Sequence, residues 1–161
     1  MAETWEIRDG EVALERDPSE QTDEAVVFIG TIHSLWKTRA SCPKNIGQAR
    51  AAGGAAWVDL RPEFAPALAG LKVGQPIVLM YWMHHARRDL LLQTPRHVDA
   101  PRGTFALRSP NRPNPIASSS VIVTELDLEA GRIGIDAIDC LDGTPVVDLK
   151  PWLETVDIPP A

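Results

Sequence analysis

Apolar positions along this chain come in short runs separated by turn-forming residues, and most of the runs read as strands. Ile77 to His84 (IVLMYWMH) is almost wholly apolar and follows Pro76. It is too short for a typical helix and rich in β-formers, so it is expected as a central strand. Ala25 to Ile32 (AVVFIGTI) is β-branched and aromatic and reads as a buried strand. Ala56 to Leu60, Thr104 to Arg108, Ser119 to Leu126, Arg132 to Ile138 and Val146 to Lys150 bring the set to six or seven. Turns fall at Glu129-Ala130-Gly131 and Asp142-Gly143. Helical spacing is confined to Pro62 to Leu71, where Phe64, Leu68 and Leu71 share a face and Pro66 limits the length, and to one turn around Ile46 to Ala52. Near the N-terminus, Asp9-Gly10 between alternating runs (Trp5 to Leu14) signals a hairpin. Short strands with short connections predict a mainly β fold, a small single-domain antiparallel β-barrel with one or two short helices, or the related sandwich. The βαβ rhythm and the G-x-G-x-x-G turn of doubly wound nucleotide folds are both missing. An acidic N-terminal extension over residues 1–24 and a barrel domain over 25–161 are expected.

Composition adds limits. With 161 residues, 44% hydrophobic and 24% charged, the chain can bury a real core. No apolar run approaches the roughly 20 residues that cross a bilayer, so no membrane partner is expected. The acidic start lacks an apolar core and does not read as a signal peptide. Two cysteines, Cys42 and Cys140, make no disulfide framework and point to a reducing, cytoplasmic setting.

The net charge of −6 is unevenly spread. Residues 1–24 and 125–161 each carry −7, whereas residues 31–56 and 84–116 each carry +4. Local positive surface on an acidic protein suits an anionic ligand. The plainer alternative is arginine that solubilises two long loops.

The second basic block contains Arg108-Ser109-Pro110-Asn111-Arg112-Pro113-Asn114-Pro115. Its three prolines fix φ, remove N–H donors and hold Ser109, Arg112 and Asn114 extended, so the segment is neither helix nor central strand. A stiff strap lowers the entropy cost of aiming guanidinium forks at carboxylate or phosphate. The competing reading is a structural loop whose arginines cap carbonyls of neighbouring strands. Cys140-Leu141-Asp142-Gly143-Thr144-Pro145 is a tight turn in which Gly143 permits close approach of a ligand and Asp142 can accept from a ribose hydroxyl; an ordinary Asp-Gly turn is the alternative. Cys42-Pro43-Lys44-Asn45 is a second proline-anchored polar turn. His84 and His85, adjacent on a strand, are expected on opposite faces, one toward a ligand and one toward solvent or core. With His33 and His97 scattered and no metal-spaced ligands, no metal is expected. Neither cysteine carries a local sign of activation as a nucleophile.

These stretches together resemble the TsaA-like family, also called YaeB-like or TrmO, of S-adenosylmethionine-dependent tRNA methyltransferases. The resemblance rests on Ile29-Gly30-Thr31-Ile32, Pro43-Lys44-Asn45, Ile77 to His84, Ala106 to Ala117 and Leu141 to Trp152, in the family's order and spacing, and runs from about Val27 to Pro159. It implies a small β-barrel acting as a homodimer, without metal, that methylates N6 of threonylcarbamoyl-adenosine beside the anticodon of tRNA. The donor S-adenosyl-L-methionine would be held by Pro43, Lys44 and Asn45, His84 and His85, Arg108, Ser118, and Leu141, Asp142, Gly143 and Thr144. Arg112 and Asn114 would shape the strap and face RNA or the second subunit. No general base is marked; Asp142 is the one candidate for a catalytic role. Three departures bear on the substrate. Lys44 and Asn45 stand for Arg and Gln, Ala117-Ser118 for Gly-Leu, and the loop from His85 to Gly103 differs from the aromatic-bearing pattern. Two other functions remain open: a methyltransferase of the same fold acting on a small nucleotide-like substrate, and a non-catalytic protein that binds an S-adenosyl ligand.

Overall fold

The computed structural model describes residues 6–20, 23–95 and 99–160. Nine strands and two short α-helices follow in the order β1 (Val12–Ala13), β2 (Gly30–His33), α1 (Ile46–Ala51), β3 (Ala56–Leu60), β4 (Pro76–Trp82), β5 (Leu90–Gln93), β6 (Arg102–Gly103), β7 (Ile116–Asp127), β8 (Arg132–Ile135), β9 (Thr144–Pro151) and α2 (Glu154–Asp157), with 3-10 turns at Pro18–Glu20, Pro62–Leu68 and Thr104–Ala106. Contacts group the chain into two units, Met1–Ala25 with His84–Pro115, and Val26–Met83 with Ile116–Ala161.

The larger unit is a closed antiparallel barrel in the order β2-β3-β8-β7-β4-β9. Alternation explains it: Ile77, Leu79 and Tyr81 of β4 point inward, as do Ser119, Val121 and Val123 of β7 and Ala56, Val58 and Leu60 of β3. With Ile32, Ile133, Ile135, Ile138 and Val146 they form one core. Each fully buried branched aliphatic there contributes about 1.5–3 kcal/mol relative to exposure. The expected mainly β antiparallel barrel with two short helices is therefore observed.

The smaller unit is a three-stranded sheet, β1-β5-β6. Here the structure corrects several expectations. Asp9-Gly10 is a turn, with Gly10 at φ +74° and Glu11 N–H donating to the Arg8 carbonyl at 3.0 Å, but β1 pairs with β5 rather than closing a local hairpin. Trp5 lies outside the described residues. Within the stretch preceding Ala25, Val12–Ala13 joins a sheet with Leu90–Gln93 and Arg102–Gly103. The strand expected over Thr104 to Arg108 is not observed: Thr104–Ala106 is a 3-10 turn leading into the strap, and the Thr104 hydroxyl donates to the Leu90 carbonyl at 2.7 Å. The strand expected from Ala25 starts only at Gly30. The short helix expected over Pro62 to Leu71 is a 3-10 helix over Pro62–Leu68, consistent with Pro66 inside it.

Candidate functional site

The barrel unit holds Pro43, Lys44, Asn45, Ser118 and Leu141 to Thr144; His84, His85, Arg108, Arg112 and Asn114 belong to the smaller unit.

In the barrel, the loop after β2 is laced to the chain preceding β9. Trp36 Nε1 donates to the Ile138 carbonyl at 2.7 Å, Cys42 Sγ to the Asp139 carbonyl at 3.3 Å, and Ser34 Oγ to the Cys140 carbonyl at 2.9 Å. In return, Asp142 N–H donates to the Trp36 carbonyl at 2.8 Å and Gly143 N–H to the Ile32 carbonyl at 2.9 Å. This seam fixes the chain just before Pro43 against the chain just before Leu141. Trp36 also explains Gly54: a Cβ there would lie 2.6 Å from Trp36 Cζ2. Asn45 caps α1, its Oδ1 accepting from Gln48 N–H at 2.9 Å, while Lys44 N–H donates to Gln48 Oε1 at 3.0 Å. The Lys44 and Asn45 side chains are exposed.

Asp136, Asp139 and Asp142, spaced three apart, fasten this segment to α1, β7, β4 and the loop after β2. Asp136 takes Arg50 of α1 at 2.5 Å and the Ile122 N–H of β7 at 2.7 Å. Asp139 Oδ1 accepts from the buried Tyr81 hydroxyl at 3.0 Å and from Ser119 Oγ at 3.4 Å. Burial and the Asp139 charge push the Tyr81 phenol up, so it stays protonated and donates. Asp142 Oδ1 accepts from Ser34 N–H at 3.0 Å, and its Oδ2 lies 2.8 Å from Lys37 Nζ. The Lys37 hydrogen bond holds the Asp142 carboxyl below the usual carboxylate range against a modest burial effect. Asp142 is thus an ionised acceptor at neutral pH and a weak base.

His33 lies between two of these groups, Nε2 at 3.3 Å from Asp59 and Nδ1 at 3.7 Å from Asp142, and stacks on Trp57 with ring centroids 5.2 Å apart. Arg132 grips Asp59 with both fork arms, at 2.7 and 3.1 Å, and lies 5.9 Å from the Trp57 ring centre. Gly143 has φ +83° and no atom within 4 Å of an added Cβ, so its backbone needs glycine and the space above it is open. An open glycine beside an ionised acceptor fits a ribose with its neighbouring ring.

The smaller unit uses the strap differently. Arg112 turns inward: Nε donates to the Ser109 carbonyl at 3.1 Å, and Nη2 to the Thr104 and Leu107 carbonyls at 3.1 and 2.7 Å. These three bonds tie the Arg112 guanidinium to carbonyls of its own loop rather than to neighbouring strands, and so shape the strap. Asn114 is exposed, with Oδ1 3.4 Å from Arg88 Nη2, and Arg88 Nε donates to the Pro113 carbonyl at 2.6 Å. His84 and His85 are not split across a strand. β4 ends at Trp82, and both rings are exposed on the following turn with centroids 3.8 Å apart. Arg108 and Ser118 are exposed.

Sequence reasoning missed Ser34, Trp36, Lys37, Tyr81 and Asp139. The three-residue spacing of aspartates in an otherwise apolar stretch, IDAIDCLD, was the available signal. Among the described residues no group of three His, Cys, Asp or Glu side chains could hold a metal ion, and no helix is long and apolar enough to cross a membrane.

A closed six-stranded antiparallel barrel whose loop after β2 is laced to the chain preceding β9 defines the class of this domain. The chain belongs to the tRNA-methyltransferase O N-terminal domain family, whose profile matches residues 31–158. A probable S-adenosyl-L-methionine-binding protein, VirR, from Rhizobium radiobacter is 34% identical over 145 residues, covering 90% of this chain and 79% of the relative. A probable S-adenosyl-L-methionine-binding protein from Methanothermobacter thermautotrophicus is 37% identical over 130 residues, covering 80% and 90%. The crystal structure of TrmO from Pseudomonas aeruginosa superposes with a TM-score of 0.66 at 30% identity over 84% of this chain. The chain spans 58% of the length of that TrmO.

Proposed function

We propose that this protein is an S-adenosylmethionine-dependent methyltransferase that methylates N6 of threonylcarbamoyl-adenosine beside the anticodon of tRNA, acting in the cytoplasm as a homodimer. The observation that carries this reading is the seam that fastens the chain before Pro43 to the chain before Leu141, in a family named for tRNA methylation. Pro43, Lys44, Asn45, Ser118 and Leu141 to Thr144 contact the donor. Asp142, ionised and fixed by Lys37 and the Ser34 N–H, accepts from the ribose hydroxyls, and the open face of Gly143 takes the adjoining ring. When bound, the donor supplies an electrophilic methyl group on a sulfonium. The protein's own task is alignment, since holding nitrogen, methyl and sulfur in line supplies most of the rate advantage. The Lys37 hydrogen bond lowers the Asp142 carboxyl, which favours its use as an ionised acceptor for the donor. His84, His85 and Arg108 keep the donor-binding role implied by the resemblance as positions for substitution.

Mass spectrometry of tRNA nucleosides from cells lacking the protein tests the reading. Loss of N6-methylated threonylcarbamoyl-adenosine is expected; an unchanged level sinks it. The relatives' names, which state S-adenosyl-L-methionine binding alone, favour as second reading a non-catalytic donor-binding protein. That reading predicts calorimetric donor binding with no methylated product.

A further inference from the structure

Phe105 stands 85% exposed on the short turn Thr104–Ala106. Single exposed apolar residues are common and need no explanation by themselves. What sets Phe105 apart is its support. Thr104, only 3% exposed, donates through Oγ1 to the Leu90 carbonyl at 2.7 Å and accepts from Gln93 Nε2 at 2.8 Å. Gln93, 4% exposed, also donates to the Asn111 carbonyl at 2.6 Å. Arg112 then binds the carbonyls of Thr104 and Leu107, one on each side of Phe105. Buried polar groups and a guanidinium therefore hold the backbone on both flanks of a ring that touches almost nothing. A buried glutamine and threonine are costly unless satisfied, and here their bonds converge on this turn.

The charged residues nearest to the ring along the chain are both cations. Arg102 and Arg108 on either side are exposed, and Asp89 is gripped by Arg87 at 2.8 and 2.6 Å. A rigid, exposed aromatic face between cations matches the chemistry that binds single-stranded nucleic acid: an unpaired base stacks on the ring while the guanidinium groups meet the phosphates. A second copy of this chain would bring the same arginines against each other, which charge disfavours.

We propose that Phe105 is a stacking platform for an unpaired nucleobase of the RNA substrate, with Arg102 on a flanking phosphate. The inference rests on the RNA-directed reading above and places the RNA contact on residues other than Arg112 and Asn114. The test uses the full chain and an anticodon stem–loop RNA carrying 2-aminopurine in its loop, titrated at several salt concentrations. Phe105→Ala is expected to weaken binding about 10-fold with the salt slope unchanged, and to abolish the change in 2-aminopurine fluorescence, because stacking is lost while phosphate contacts remain. Phe105→Trp is expected to retain both. Arg102→Ala is expected to lower the salt slope by about one. Calorimetric donor affinity should stay unaltered in Phe105→Ala. Equal RNA affinity in Phe105→Ala overturns the platform and leaves the methyltransferase reading intact. Failure of the unaltered protein to bind the stem–loop overturns the RNA-directed reading, and the platform with it. Dissociation of an oligomer by Phe105→Ala, seen in light scattering, overturns the platform in favour of a subunit contact.

Discussion

The two basic stretches carry the same charge, +4 over residues 31–56 and +4 over 84–116, yet they use it in different ways. In the barrel, Lys37 and Arg50 pair with Asp142 and Asp136, acids from the segment that follows β8. Those pairs join the positive stretch to a negative one and build the seam. In the smaller unit, Arg112 donates to carbonyls of its own loop, Arg88 to the Pro113 carbonyl of the strap, and Arg87 to an aspartate two residues away. The first stretch uses charge between distant segments, whereas the second uses it to make a proline-rich loop hold one shape. A charge count therefore predicts neither where the field points nor which cations meet a ligand.

Removing Arg112 should break this comparison most sharply. Arg112→Ala removes the guanidinium donor from the carbonyls of Thr104, Leu107 and Ser109 and should cost about 2–3 kcal/mol in urea unfolding, with faster hydrogen exchange over residues 104–111. Arg112→Lys should recover less than half, since an ammonium lacks the fork. Full stability in Arg112→Ala would show that the prolines alone hold the strap.

Asp142→Asn probes the other stretch and should move ligand binding rather than stability. The Lys37 pair is largely solvent-exposed, so its loss should cost under about 1 kcal/mol of stability. Calorimetry should show donor affinity falling about 10-fold, as expected when a charged acceptor becomes neutral. Unchanged affinity would remove Asp142 from the donor site.

The smallest effect is expected on acidification. The hydrogen bond from Lys37 lowers the carboxyl of Asp142, and those from Arg132 and Arg87 lower the carboxyls of Asp59 and Asp89. Folded values below unfolded ones mean that these groups stabilise fully above the unfolded value of about 3.9 and lose that contribution as pH falls through it toward the folded value. The thermal midpoint should therefore hold from neutral pH to about 5 and decline only below about 4. Lys37→Ala should flatten that decline by a few tenths of a kcal/mol.

The contrast between the stretches also explains what the sequence made legible. Strands β3 and β4 were readable because their inward residues contribute to a single core, which leaves an apolar trace in any register. Leu141 to Thr144 was readable as a turn because Gly143 adopts a conformation that glycine favours. β5 and β6 were not readable: four and two residues long, they leave almost no periodic trace, and β5 pairs with β1 across half of the chain. Arg112 could not be read as inward-turned, because its carbonyl partners lie three, five and eight residues back along an irregular loop with no fixed period. Asp139 was hidden for a related reason, since its partners Tyr81 and Ser119 come from strands far away in sequence.

Closure of the barrel has a consequence for self-assembly. All six of its strands have two hydrogen-bonded neighbours, so the larger unit offers no open backbone ladder to a passing chain. Among the described residues the outer strands of the three-stranded sheet, β1 and β6, are the free margins, and each is two residues long. Strand exchange and fibril templating both need a longer unpaired run than that. At high concentration this protein should associate through side chains rather than by backbone zippering.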